Sequence, residues 1–240
     1  MAYRYETHIH CSQCSRCAVS TSQELVHALH KAGYAGMVLT DHFIFGNTSV
    51  EHSLPWAQRM GCYYQAYLDA KAEAEALDFD VIFGIEHAYG DGKEVLIYGV
   101  ELDFLLANPD LPDISLDRLV ERVHQAGGAV IQAHPYRDRS YINMDVAPRA
   151  DIVDGIEVYN AGNQPGEDAQ ALRLAQSGDF ILTSGGDIHC DSSELIGLAG
   201  VVLPHRVKDS RAFADALKKR EHQLIIRGTE VSSVTEDLLP

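Results

Sequence analysis

A chain of 240 residues, 46% hydrophobic and 22% charged, has room for a large core and the balance of an ordinary globular protein, which excludes disordered, collagen-like and coiled-coil classes. Its formal net charge of −16 argues against a surface that grips nucleic-acid phosphates over a long track, while leaving room for a small anion at a local cationic or metal site. No apolar run approaches the roughly 20 residues that span a bilayer, and MAYRYETHIH has neither the basic start nor the apolar stretch of a signal peptide. The expectation is a cytoplasmic protein with no long nucleic acid and no membrane as partner, its oligomeric state open. It reads as one domain over 1–228 with a C-terminal tail at 229–240.

In chain order, the strand RYETHI runs into THIHCSQCSRC, which crowds two histidines against three cysteines at positions 11, 14 and 17. TSQE at 21–24 is a capping box ahead of LVHALHKAG, whose Leu25, Ala28, Leu29 and Ala32 share one helical face and whose Gly33 suits the stop. The strand GMVLT follows, then a helix from about Gln58 to Leu77, then the strands VIFGI and VLIYGV. A helix from Leu116 to Ala126 precedes AVIQA and GIEVY, and one from Glu167 to Gln176 precedes FILTS and AGVVL. A last helix, Ser210 to Arg220, leads to QLIIR. Short apolar runs alternating with amphipathic helices are the α/β pattern.

The polar residues fall at one place on that map. His8 and His10 lie two apart in a strand, so both side chains turn to one face and can reach one ion together. Asp41 and His42 follow GMVLT, Glu86 and His87 follow VIFGI, His134 follows AVIQA, and Asp187 and His189 follow FILTSGG. Barrel and open α/β folds build their sites at the C-terminal ends of parallel strands, where these five sets would collect. Imidazoles mixed with carboxylates suit zinc, manganese or iron rather than magnesium or calcium alone. More ligands than one ion needs imply two or three divalent ions, and a carboxylate bridging two ions about 3.5–4 Å apart is the usual clamp for a phosphate.

THIH, TDH, GIE, AHP and GGDIH, in this order between residues 7 and 189, resemble the PHP superfamily, named for polymerase and histidinol phosphatase. The resemblance implies a distorted (β/α)7 barrel with its metals at the C-terminal strand ends, and a phosphoesterase. It implies that His8, His10, Glu86 and Asp187 hold a first ion, that Glu86 bridges to a second bound also by His134, and that His42 and His189 belong to a third. Two positions depart from the family pattern: Glu94 in KEVLIYG stands where a histidine is frequent, and CSQCSRC stands where an aspartate or histidine often follows the first pair. Glu94 ligates through oxygen in that reading, and Cys17, or next Cys14, completes the third ion.

Other candidates come from the residues themselves. Arg137, three past His134, offers a fork-shaped phosphate contact. Asp41 either orients a neighbouring ligand or caps a loop, and His87 reads as packing or an outer partner of the ligands. Glu157 and Asn160, past another strand end, line a substrate pocket or hold their loop by turn chemistry. The remaining histidines default to solvent. The cysteine run has the spacing of part of an iron–sulfur motif but meets Thr21 where the fourth cysteine belongs, so reduced thiols or a structural zinc compete with it. The expected function is hydrolysis of a small phosphorylated metabolite, a phosphomonoester such as histidinol phosphate or a nucleotide, by metal-activated hydroxide. The runners-up are an amidohydrolase-type metal enzyme and a non-catalytic metal-binding module.

Overall fold

The computed structural model describes residues 2–240. Each apolar run named above forms a strand: β1 (Tyr3–Ile9), β2 (Gly36–Leu39), β3 (Asp80–Gly90), β4 (Lys93–Tyr98), β5 (Ala129–Gln132), β6 (Gly155–Asn160), β7 (Ile181–Gly185), β8 (Ala199–Leu203) and β9 (Gln223–Ile226), with a further β10 (Thr229–Val231). The helices are α1 (Ser22–Lys31), α2 (Trp56–Ala74), α3 (Leu102–Ala107), α4 (Leu116–Gln125), α5 (Glu167–Ala175) and α6 (Ser210–Lys219). The Thr21 capping box forms: the Thr21 hydroxyl accepts from the Glu24 amide at 3.3 Å and Glu24 accepts the Thr21 amide at 2.7 Å. β2, β5, β6 and β8 are buried along their whole length, as strands covered on both faces must be.

The strands make one curled sheet in the order β10-β9-β8-β1-β2-β3-β4-β5-β6-β7. This corrects the expected seven-fold β/α repeat: the described residues hold ten strands and six α-helices, and only β1/β2, β2/β3, β5/β6 and β6/β7 pair parallel. β4 runs antiparallel to both β3 and β5. The cause is the two-residue turn Asp91-Gly92, with φ of 54° and 72°, a connection that only a tight hairpin takes and that leaves no room for a crossover helix. β3 consequently runs on past Glu86 to Gly90, where the sequence placed a strand end. Because β4 is reversed, its beginning lies at the same rim as the C-terminal ends of the parallel strands, and Glu94 comes with it.

The curl brings β7 round to β1. The Thr7 hydroxyl donates to the Ser184 carbonyl at 2.6 Å, and the His10 amide donates to the Ile188 carbonyl at 2.8 Å. Across the interior the Tyr98 hydroxyl of β4 reaches the Thr7 carbonyl at 2.9 Å. Residues 229–240, expected as a tail, supply β10, bury Leu239, and hold α5 through the Pro240 carbonyl, which accepts the Gly166 amide at 3.0 Å. No helix among the described residues is long and apolar enough to cross a membrane.

Candidate metal centre

Glu86, 1% exposed, is the centre of the polar rim. Its Oε1 lies 3.0 Å from His8 Nε2 and 3.1 Å from His134 Nε2, and its Oε2 lies 2.7 Å from His42 Nδ1 and 3.4 Å from His10 Nε2. Asp187 Oδ1 stands 3.2 Å from His10 Nε2 and 3.6 Å from His8 Nε2, and the Glu94 carboxylate stands 3.3 Å from His42 Nδ1 and 3.6 Å from His134 Nε2. The His189 ring stacks on His10 at 4.5 Å between centroids. Four interlocking groups result: His8, His10 and Asp187; His8, Glu86 and His134; His42, Glu86 and Glu94; His10, His42 and His189. All eight of these sequence candidates are brought together.

The donor atoms do not satisfy one another. His8 Nε2, His10 Nε2, His42 Nδ1 and Glu86 Oε2 are buried, and none makes a hydrogen bond. His42 Nδ1 and His8 Nε2 lie within 3.0 Å of Glu86 without hydrogen-bond alignment, so these are charge pairs around a shared space, and buried polar groups without aligned partners are rare and costly. Burial opposes the charge of Glu86, yet His8, His42 and a hydrogen bond with His134 hold its carboxyl well below the usual range. Burial likewise opposes ionisation of Asp187, and Arg137 and His8 hold it down. Burial and the neighbouring His42 lower His10 to about 3, which keeps its imidazole neutral and able to ligate. Burial opposes charge on His8 and His42 as well, but the carboxylates they face raise both above the usual imidazole range, so a divalent ion binding there would take the place of their protons. Histidines and ionised carboxylates around one space fit divalent metal.

An outer ring aims these groups. A carboxylate only accepts, so Glu157 Oε1, 3.0 Å from His8 Nδ1, keeps the proton on that nitrogen and turns the Nε2 lone pair inward. Its other oxygen accepts the His134 amide at 2.9 Å and the Asn160 side-chain amide at 3.0 Å. On the far side the Ser15 hydroxyl donates to Asp41 Oδ1 at 2.7 Å, so its oxygen accepts from His10 Nδ1 at 3.2 Å and from the His42 amide at 3.1 Å. Asp41 also accepts the Cys11 amide at 2.8 Å and the Cys11 thiol at 3.0 Å. The Asp41 carboxylate thus faces the 11–15 loop instead of the reacting space. Glu157 and Asn160, expected beside substrate, are buried beneath the ligands.

Arg137 is almost fully engaged: its guanidinium donates to Asp187 Oδ2, to Asn160 Oδ1 at 2.7 Å and to Asn163 Oδ1 at 3.0 Å. It therefore positions Asp187 while still lining the cavity. His134 and Asp187 hold left-handed backbone at φ of 23° and 51°, each a strain of order 1–3 kcal/mol that the surrounding hydrogen bonds must overcome.

The three clustered cysteines part company. Cys11 and Cys14 are buried behind the rim, with Cys14 donating to the Tyr63 carbonyl at 3.3 Å; a hydrogen bond with Cys14, and then burial, push the Cys11 thiol up, while for Cys14 that hydrogen bond lowers the thiol and burial with Asp41 outweighs it. Cys17 stands exposed at the rim. Partial burial pushes its thiol up, but hydrogen bonds with His189 and His42 outweigh this and bring it down to about 6. All five cysteines are free, and Cys11 and Cys14 form with Asp41 a buried three-donor group of the kind that could hold an ion.

Several residues escaped the sequence reading. Glu6 Oε1 accepts the amides of Thr7, His8 and Gly186 at 2.7–3.0 Å and so ties β1 to the Asp187 loop; period two from His8 was the available signal. A Cβ on Gly185 would overlap Glu157 and His8, and one on Gly186 would overlap Glu6, which explains the two glycines before Asp187. Ser15, Asn163 and Asp168, which accepts from both Asn160 and Asn163, carried no local signal.

No family model matches the chain, and no curated protein matches it in sequence. Solved structures do match, and they give it the fold of PHP-like metal-dependent phosphoesterases, in agreement with the motif resemblance. One is a two-domain protein from Bacteroides vulgatus containing a predicted PHP-like metal-dependent phosphoesterase, at 14% identity and a TM-score of 0.69, covering 99% of this chain and 68% of that one. Another is the lesion-specific endonuclease EndoQ from Pyrococcus furiosus, at 11% identity and a TM-score of 0.66, covering 93% of this chain and 58% of that one. A third is endonuclease Q in complex with a 27-mer duplex bearing an abasic lesion at its active site, at 10% identity and a TM-score of 0.59, covering 91% and 57%. That complex overturns the expectation that a long nucleic acid is excluded as partner. Net charge is a sum over the whole surface, whereas a nucleic acid is held by the local field at one cleft, to which bound cations contribute.

Proposed function

We propose that this chain is a metal-dependent phosphoesterase. The observation that carries this is the set of buried donor atoms of His8, His10, His42 and Glu86 without aligned hydrogen bonds, gathered at the floor of a cavity that His42 and Glu86 line. In this reading His8, His10, Asp187 and Glu86 hold one ion, and Glu86 with Glu94 and His134 a second. His42 and His189 attend a third position, with Cys17 beside them. Bound ions there would supply Lewis-acid charge at the phosphoryl oxygens and make water acidic enough to act near neutral pH.

The chain's own residues then have separable tasks. Glu86 keeps its charge between the ligand groups. Glu157 and the pair Asp41–Ser15 fix which nitrogens of His8 and His10 point inward. Arg137 holds Asp187 still and presents its unused N–H groups to the cavity, where a phosphoryl oxygen can accept them. The cavity accepts a phosphomonoester and equally the phosphate of a nucleotide within a strand. Protein purified with manganese or zinc is expected to release phosphate from a panel of phosphate esters and to lose this activity with a chelator. Turnover of none of them, an abasic duplex included, or turnover indifferent to chelation, would sink the reading.

A further inference from the structure

The cavity above Glu86 encloses about 860 Å³, within the size range of sites that take a whole organic ligand and larger than a phosphoryl group needs. Its floor is charged: Glu86, Glu94, Asp187 and Arg137. Its outer wall is of another kind. Six large hydrophobic side chains stand exposed among the described residues, and the two aromatic ones, Phe45 at 56% and Tyr141 at 67%, both line this cavity. Exposed aromatic rings gathered at a cleft mark a binding surface more often than scattered apolar residues do.

His87 joins them. Its ring meets Phe45 edge-on at 6.1 Å between centroids, it is 6% exposed, and it lines the cavity; its Nδ1 has no hydrogen-bond partner. No lysine lines the cavity, and its one arginine is already tied to Asp187, Asn160 and Asn163. The outer wall therefore offers stacking faces and an imidazole, and no cation for a second anionic group.

We propose that Phe45 and Tyr141, with His87 beside them, form a subsite for a flat, hydrogen-bonding ring on the organic side of the phosphoester. The substrate class is then a nucleotide-like phosphoester, not a linear sugar or polyol phosphate. This rests on the phosphoesterase reading, because that reading places the phosphate over Glu86. The ring reaches the wall either on a free nucleotide or on a nucleotide of a strand.

Calorimetric titration of the manganese-loaded protein tests this with three probes: a nucleoside 5′-monophosphate, ribose 5-phosphate, and a short single-stranded oligonucleotide. The nucleotide is expected to bind at least roughly fivefold more tightly than ribose 5-phosphate, and Phe45→Leu and Tyr141→Leu are each expected to lower that ratio roughly fivefold. Both positions are exposed, so leucine there tests the ring without opening the core, and an unchanged melting temperature verifies it. Tighter binding of the oligonucleotide with the same loss in the variants supports the subsite and assigns it to a strand. A ratio near one in the parent protein, or a ratio untouched by both substitutions, overturns the proposal. Phosphate release assayed in parallel keeps the two readings apart. Turnover without ring preference overturns the subsite alone, whereas ring preference without any turnover overturns the phosphoesterase reading and leaves the subsite supported.

Discussion

The floor of the cavity and its mouth are built differently. At the floor His8 and His10 are fully buried and Glu86 is 1% exposed, each stands on or next to a strand, and the inward direction of the imidazoles is dictated by Glu157, Ser15 and Asp41. At the mouth Phe45 and Tyr141 stand in loops, more than half exposed, with no side-chain hydrogen bond to fix them. Positions meant to hold an ion must be set within a fraction of an ångström, and only packed strands with satisfied outer partners provide that. A surface that stacks against a ring needs area rather than exact placement, and loops provide it.

The largest effect is expected at Glu86, where both carboxylate oxygens face histidines. Glu86→Gln keeps the shape and removes the charge shared by four histidines, so it is expected to lose bound metal, read by elemental analysis, and to reduce phosphate release by more than the roughly 10–100-fold typical of an outer partner. Full metal content in this variant would show that Glu86 is not at the centre of the site. Next, Glu157→Gln leaves every ligand in place, but with its one oxygen accepting from the His134 and Asn160 amides it turns a donor NH2 to His8 Nδ1, and metal affinity, titrated on the metal-free protein, is expected to weaken roughly 10–100-fold. An affinity equal to that of the parent would mean the strands alone position His8. The smallest effect is expected at the rim. Cys17→Ser is expected to lower the bound-metal count by about one while leaving the ions around Glu86 in place, and an unchanged count would make Cys17 a bystander between His42 and His189.

Much of the site was legible because period two in a strand is a strict rule: THIH had to put His8 and His10 on one side, and motifs placed after apolar runs had to gather at one rim. The same rule extended backward would have found Glu6. The regular (β/α)7 repeat that the family resemblance implied is broken at one place: the two residues Asp91-Gly92 make a hairpin where the repeat needs a crossover, reverse β4, and deliver Glu94 to the rim near the start of that strand. For the three cysteines the sequence left several readings side by side, from reduced thiols to a single ligand at Cys17, because adjacency does not say which way a side chain turns; the turn at 11–15 sends Cys11 and Cys14 inward and leaves Cys17 exposed.

By itself the sequence determined the α/β class, the strands and most helices, since these follow from local periodicity, and it singled out Glu86 and the seven side chains that gather with it, Glu94 among them only through the family pattern. Only the tertiary structure decided which groups serve the ligands and which are ligands. The roles of Glu157, Asn160, Ser15 and Asp41 depend on hydrogen bonds between residues as much as 149 positions apart, and nothing local records such a contact. It also decided that two exposed aromatic rings share one cavity with the charged floor, because the curl of the sheet brings together loops from opposite parts of the chain.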